Sequence, residues 1–219
     1  MKTDAQLQTD VTHELQWDPF INAAHVGVAA QGGVVTLTGH LDTFAEKSAI
    51  ERAVQRVEGV KAVAVELDVK LAPSHQRSDS EIAEAIESAF KWNVMIPADR
   101  IRVRIEKGWV ALTGELEWEY QRRAAEKAVR ALTGVVGVSN SITLKPAVTP
   151  SNISSRIRDA LTRHAEREAR NIEVIVSGST VTLHGRVDTW AEREAAQGAA
   201  WAAPGVGLVV NSLTVDAGA

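Results

Sequence analysis

Three arginines alternate with three aliphatic residues over six positions: Arg100, Arg102 and Arg104 against Ile101, Val103 and Ile105. Successive side chains of a strand point to opposite faces, so the arginines share one face. A guanidinium presents a planar fork of donors that matches phosphate oxygens. The row is therefore a candidate anion site for a lipid headgroup or a nucleotide phosphate. Trp109, on the strand expected next, points to the same face. A second concentration follows at Trp118, Tyr120, Arg122, Arg123, Lys127 and Arg130. Aromatic residues beside basic ones suit an anionic membrane interface, although Glu117, Glu119 and Glu126 dilute the charge. The candidate anion- or lipid-binding set is Arg100, Arg102, Arg104, Trp109, Trp118, Arg122 and Arg123. Each concentration also has a plainer reading. The first is then a solvated strand face or a contact with a neighbouring repeat. The second is then tryptophan packing beside a solvated helix face.

Other chemistries find little support. There is no cysteine, which removes disulfides, zinc-thiolate sites and thiol nucleophiles. The six histidines are His13, His25, His40, His75, His164 and His184. No two have the i, i+4 spacing of a helical metal pair, and they read as scattered surface residues. No Gly-x-Ser-x-Gly elbow and no phosphate-loop Gly-Lys-Ser/Thr is present. No catalytic, cofactor-binding or metal-binding residue is assigned, and the chain reads as a binding protein and not an enzyme.

The net charge is −4, from 24 basic and 28 acidic residues. Nucleic acid is not expected as a partner, since its binders favour a basic domain or stripe. The charge is uneven, however. Residues 73–146 hold 11 basic and 10 acidic side chains, whereas residues 1–72 hold 6 and 10. The first ten residues show no signal-peptide pattern, and no stretch approaches the roughly 20 apolar residues of a membrane span. The expected location is the cytoplasm, with peripheral membrane association open to it.

The elements that carry these side chains come from an internal repeat. Val35-Thr36-Leu37-Thr38-Gly39 recurs as Val110-Ala111-Leu112-Thr113-Gly114 and as Val181-Thr182-Leu183-His184-Gly185, at spacings of 75 and 71 residues. Gly59-Val60, Gly134-Val135 and Gly205-Val206 keep the same offsets. So do Leu7, Val11 and Leu15 with Ile82, Ile86 and Phe90, and with Ile153, Ile157 and Leu161. Each unit reads as a helix from its i, i+4, i+8 apolar series. A hairpin follows around Gly32-Gly33, Lys107-Gly108 or Gly178-Ser179, its second strand ending at Gly39, Gly114 or Gly185. Then comes a second helix. Thr43-x-x-Glu46 and Thr189-x-x-Glu192 have capping-box spacing at its start. Its inward face is expected at Ala45, Ala49, Ala53, Val54 and Val57, matched by Tyr120, Ala124, Ala128, Val129 and Leu132. Gly59, Gly134 and Gly205 sit where a helix-ending glycine belongs, and a last strand alternates Val63, Val65, Leu67 and Val69.

The chain is thus α+β: three α-β-β-α-β modules over residues 1–72, 76–146 and 148–217, each a three-stranded mixed sheet with two helices on one face. Linkers are expected at 71–77 and 145–150, marked by Pro73, Pro146 and Pro150. Modules this small bury little core, so docking through the bare sheet faces is expected. The repeat glycines Gly39, Gly59, Gly114, Gly134, Gly185 and Gly205 are read as structural. Trp17 and Trp92 align at the end of the first helix, opposite Arg163, and are expected to pack, as are Phe44 and Trp190.

The pattern resembles the BON domain of bacterial osmotically inducible and nodulation-related proteins. Its carriers are Leu37-Thr38-Gly39-His40-Leu41, Ala45-Glu46-Lys47 and Gly59-Val60 in the first unit. The second shows Leu112-Thr113-Gly114-Glu115-Leu116, Gly134-Val135 and Asn140. The third shows Leu183-His184-Gly185-Arg186-Val187, Trp190-Ala191-Glu192-Arg193, Gly205-Val206 and Asn211. The resemblance implies a non-enzymatic, stress-associated binding module whose partner is anionic phospholipid or an envelope protein. The alternative is a cytoplasmic sensor of a small anionic ligand or an ion.

Overall fold

A computed structural model gives the fold and describes residues 2–145, 153–164 and 172–215. The repeat becomes three modules of one topology. Module 1 comprises α1 (Asp4–Trp17), β1 (Val26–Gln31), β2 (Val34–Leu41), α2 (Phe44–Arg56) and β3 (Ala62–Val69). Module 2 comprises α3 (Asp79–Lys91), β4 (Ile101–Glu106), β5 (Trp109–Leu116), α4 (Glu119–Arg130) and β6 (Gly137–Leu144). Module 3 comprises α5 (Ile153–His164), β7 (Ile172–Ser177), β8 (Thr180–Val187), α6 (Trp190–Trp201) and β9 (Leu208–Val215). Pro146 and Pro150 of the second linker lie outside the described residues, as do the side chains of Leu161 and Arg163.

Each sheet has the order first, second, third strand, so the second strand is central and the first is an edge. The hairpins are antiparallel. The returning strands β3 and β9 run parallel to β2 and β8, as a helical crossover requires. In modules 1 and 3 the helices pack on each other and on the sheet. Module 1 and most of module 2 belong to one compact unit, and module 3 belongs to another.

Small apolar cores hold the modules. In module 1, Leu7, Val11 and Leu15 of α1 meet Val35, Leu37 and Leu41 of β2 and Ile50, Ala53 and Val54 of α2, all buried. Each fully buried valine, leucine or isoleucine contributes about 1.5–3 kcal/mol of transfer free energy. Ile82, Ile86, Phe90, Val110, Leu112, Leu116 and Val129 are buried in module 2, and Ile153, Ile157, Val181 and Leu183 in module 3.

Several local expectations are corrected. The central strands continue past Gly39, Gly114 and Gly185 to Leu41, Leu116 and Val187. Glycine is needed inside the strand because φ is +129° at Gly39 and +144° at Gly114. A Cβ there would also overlap the carbonyl oxygen of His25 or Arg100. Gly59 does not end α2; it lies in the tight turn closed by Val60 N–H donating to the Val57 carbonyl at 3.3 Å. Ala49, Ala53 and Val54 face inward as expected, as does Val129, while Ile50, Ala125, Ala196 and Ala200 complete the buried stripe of the second helices. Tyr120 is exposed instead. Adjacent alanines such as Ala124 and Ala125 fit either stripe, so composition could not choose the helix rotation.

The capping boxes also fall elsewhere. Full boxes close at Thr3 with Gln6 and at Ser78 with Glu81. Thr43 accepts from Glu46 N–H at 3.2 Å, but the Glu46 carboxylate turns inward and accepts from Asn22 N–H at 2.6 Å. A loop amide distant in sequence wins that carboxylate. The sequence favours the bare sheet faces for docking, and modules 1 and 2 do touch through their second helices. Arg130 of α4 donates to Ser48 Oγ of α2 at 2.9 Å, pairs with Glu126, and lies 5.9 Å from the centre of the Phe44 ring.

Candidate functional site

The strand register settles where the arginine row points. Arg102 pairs with Thr113, Arg104 with Ala111, and Glu106 with Trp109. Directly opposed residues share a face, so Arg102, Arg104 and Trp109 stand together on the side of the sheet without helices. Both arginines are exposed, and Trp109 is about half exposed. The Trp109 ring lies against the backbone of Gly137 on the neighbouring strand, where any Cβ would overlap it. Arg104 spends part of its charge on Glu106, 3.0 Å away. Arg100 is not in the strand; it closes a 3-10 turn over Ala98–Arg100.

The second concentration occupies the helix layer and does not join the first. Asn140 of β6 donates to the Glu126 carboxylate at 2.9 Å, which ties α4 to the sheet edge. Arg122 is partly buried and Arg123 exposed. Lys47 and Arg193 hold the Arg122 position in the other modules. Lys47 donates to the Leu67 carbonyl at 3.4 Å, and Arg193 donates to the Leu213 and Asn211 carbonyls at 3.1 and 3.2 Å. A cation here fastens the second helix to the last strand. The Arg123 position carries no such pattern, since Ser48 and Glu194 replace it.

A third surface reverses an expectation. Trp17 is 85% exposed and Trp92 is 88% exposed, so neither packs. Each stands two positions past the last buried residue of its helix, Leu15 or Phe90, and rotation by about 200° carries it away from the core. The loops that follow are apolar as well: Phe20 is 59% exposed, Met95 50%, and Val94 fully exposed. Phe20 and Met95 occupy equivalent positions. Modules 1 and 2 therefore present the same tip, a tryptophan and then a bulky apolar side chain, at the junction of first helix and first strand. The signal was available in the sequence, because both tryptophans fall off the i, i+4 stripe.

Two further clusters emerge from tertiary structure. The rings of His25 and His40 lie 4.6 Å apart, brought together by the pairing of Val26 with Gly39. No three metal-ligating side chains converge among the described residues. Between α3 and β4 runs a groove of about 570 Å³ with an apolar floor that includes Ile86, Phe90, Ile101 and Val103. Asp79, Glu87, Lys91 and Asp99 stand on its walls. Asp79 is engaged, accepting from Lys107 and Gly108 N–H at 2.9 and 2.8 Å. The Lys91 ammonium, 2.6 Å from Glu87, holds that carboxyl below the usual range through its hydrogen bond and its charge. Among the described residues, no helix is long and apolar enough to cross a membrane.

Comparison with known proteins places this geometry. A family model described as BON domain matches residues 3–70, 78–146 and 150–217. Osmotically-inducible protein Y of Escherichia coli (strain K12) is 26% identical over 129 residues, 57% of this chain and 64% of that protein. The chain thus spans about two thirds, and no more, of the relative it matches. Two solved structures of CdsD, a structural protein of the type III secretion system of Chlamydia trachomatis, are each 18% identical. The match covers 95% and 98% of this chain and 91% and 100% of theirs, with TM-scores of 0.25 and 0.26.

Proposed function

This chain belongs to the BON domain family, and on that footing we propose that it is a non-enzymatic, stress-associated binding protein that docks peripherally on anionic phospholipid. The observation that carries the reading is the repeated tip: Trp17 with Phe20, and Trp92 with Val94 and Met95, held out into solvent by two separate modules. An exposed tryptophan costs hydration free energy in water and gains at the headgroup level, where its ring is solvated by acyl chain and its N–H by polar groups. Two tips on one chain add their binding energies through effective concentration.

Charge supports the same reading. Module 2 carries the arginine face of Arg102 and Arg104 and the more basic segment of the chain. A basic side chain near an anionic leaflet contributes about 1 kcal/mol. The kinship with an osmotically inducible protein supports a role under osmotic stress.

The test is co-sedimentation with phosphatidylglycerol vesicles and with phosphatidylcholine vesicles, at low and physiological salt. Salt-sensitive binding to the anionic vesicles is expected. Trp92→Ala with Val94→Ser, or Trp17→Ala with Phe20→Ser, should each weaken it by about tenfold or more, the loss of at least one aromatic and a neighbouring apolar side chain. Absence of binding at low salt, where screening is weakest, would refute the proposal.

A further inference from the structure

The bare sheet face of module 2 carries a set of side chains that the sibling modules lack. Arg102 and Arg104 stand where module 1 has Gly27 and Ala29 and module 3 has Glu173 and Ile175. Trp109 stands where they have Val34 and Thr180, and Gly137 where they have Ala62 and Leu208. Trp109 and Gly137 belong together, because a Cβ on Gly137 would overlap the ring. The indole covers Gly137 with one side and keeps the other in solvent, with Trp109 52% exposed. A ring already held against the sheet loses little rotamer freedom when a ligand stacks on it.

The surroundings of the indole are polar and open. Arg102 has no ion pair among the described residues, and Arg104, with 81% of its side chain exposed, shares only Glu106. Ala111 opposes Arg104 on the central strand, and its small side chain leaves a shallow floor between the indole and the arginines. Asn140 and Ile142 of β6 turn to the helices, so Ser139 and Ser141, both exposed, stand on the face with Trp109.

We propose that this face binds a free nucleotide, with its base stacked on the open side of Trp109, its ribose over Ala111 and its phosphates on Arg102 and Arg104. The proposal goes beyond the membrane reading, which the tips carry. Every base has a π face, so stacking on an aromatic side chain is tolerant of base identity. Guanidinium forks match phosphate oxygens and hold them by charge-assisted hydrogen bonds. β6 and β4 lie about 10 Å apart across β5, a gap that a nucleotide spans from its base to its outer phosphates. An inorganic anion would use the arginines and leave the indole without a partner. A nucleic-acid strand would carry further phosphates toward Glu106 and Glu115, the exposed carboxylates at the two ends of this face, and be repelled.

The probe is magnesium-free ATP, titrated calorimetrically into the whole chain in the absence of vesicles. A dissociation constant on the order of 100 μM is expected for an open face. Adenosine and tripolyphosphate, each offering one half of the contacts, should bind at least about tenfold more weakly. Trp109→Val with Gly137→Ala installs the pair that module 1 carries, and Arg104→Ala installs its Ala29. Each should weaken ATP binding about tenfold, the scale of one stacked base or one charged contact, without lowering the melting temperature. Trp92→Ala, at the tip, should leave it unchanged. Any of four results would overturn the proposal: no ATP binding below about 1 mM, tripolyphosphate binding as tightly as ATP, unchanged affinity in both face variants, or a loss caused by Trp92→Ala. A single-stranded hexanucleotide that binds more tightly than ATP would overturn it too, by assigning the face to strands.

Discussion

Modules 1 and 2 fold the same sequence pattern 75 residues apart and differ where the pattern is silent. Their cores correspond position for position: Leu7, Val11 and Leu15 with Ile82, Ile86 and Phe90, and Leu37 with Leu112. Their tips correspond too, with Trp17 and Trp92 both in solvent. Their edges and bare faces do not. Module 1 closes its helix–strand gap with Gln8, and module 2 leaves it open at Ala83. The bare face of module 1 carries Ala29 and Thr36 where module 2 carries Arg104 and Ala111, and module 3 carries exposed Ile175 with Thr182. Close packing fixes the interior, since a change of one methylene is felt there. The rim has no such constraint, so three copies of one core can display three different surfaces.

The largest test of that correspondence lies in the core. Leu37→Ala and Leu112→Ala should each destabilise by about 2–5 kcal/mol, because each empties a fully buried site. Denaturant unfolding should report costs within about 1 kcal/mol of each other, well inside the spread seen at fixed chemistry. A cost at one site and none at the other would break the claim that the two interiors are equivalent.

Backbone strain gives the next effect. Gly39→Ala and Gly114→Ala place a Cβ on a carbonyl oxygen at positive φ. Each should cost about 1–3 kcal/mol by melting, the scale of a strained backbone conformation. Gly178→Ala, also at positive φ but with open space around it, should cost about 1 kcal/mol, from conformation alone. Equal losses at all three would show that close approach is not what keeps glycine in the central strands.

Much of this fold was legible because it repeats. Three copies in register fixed the element order, the hairpins and the core stripes, and all of these rest on local periodicity. What escaped depends on partners far apart in sequence. Glu46 looks like a capping-box residue until Asn22 takes its carboxylate. His25 and His40 look scattered until strand pairing joins them. The open groove depends on what sits opposite Val103, which no window around that residue contains. Strand alternation places Arg102 and Arg104 on one face, as the register shows, but it cannot place Arg100, because the chain enters the strand through a 3-10 turn. The exposed tryptophans are a different case: helical periodicity turns them off the core stripe, although their alignment between repeats suggests packing.

The smallest effect separates the two modules by pH. Both first helices begin with a closed capping box, but the returning side chain is Gln6 in α1 and Glu81 in α3. Gln6 does not titrate near neutrality. Glu81 accepts from Ser78 Oγ at 2.7 Å and from Ser78 N–H at 2.8 Å, and these bonds hold its carboxyl below the usual 4.5. A carboxyl depressed in the folded state binds its proton more readily when unfolded, so it stabilises the fold above its unfolded value. That stabilisation disappears as pH falls through the folded value. Glu81→Gln makes the cap of module 2 a copy of the cap of module 1. Thermal melts should place the variant slightly below the parent at neutral pH, with the gap closing as the solution is acidified past the carboxylate range. Gln6→Glu should introduce the same dependence into module 1. A gap that stays constant with pH would mean that the carboxylate charge adds nothing to the cap.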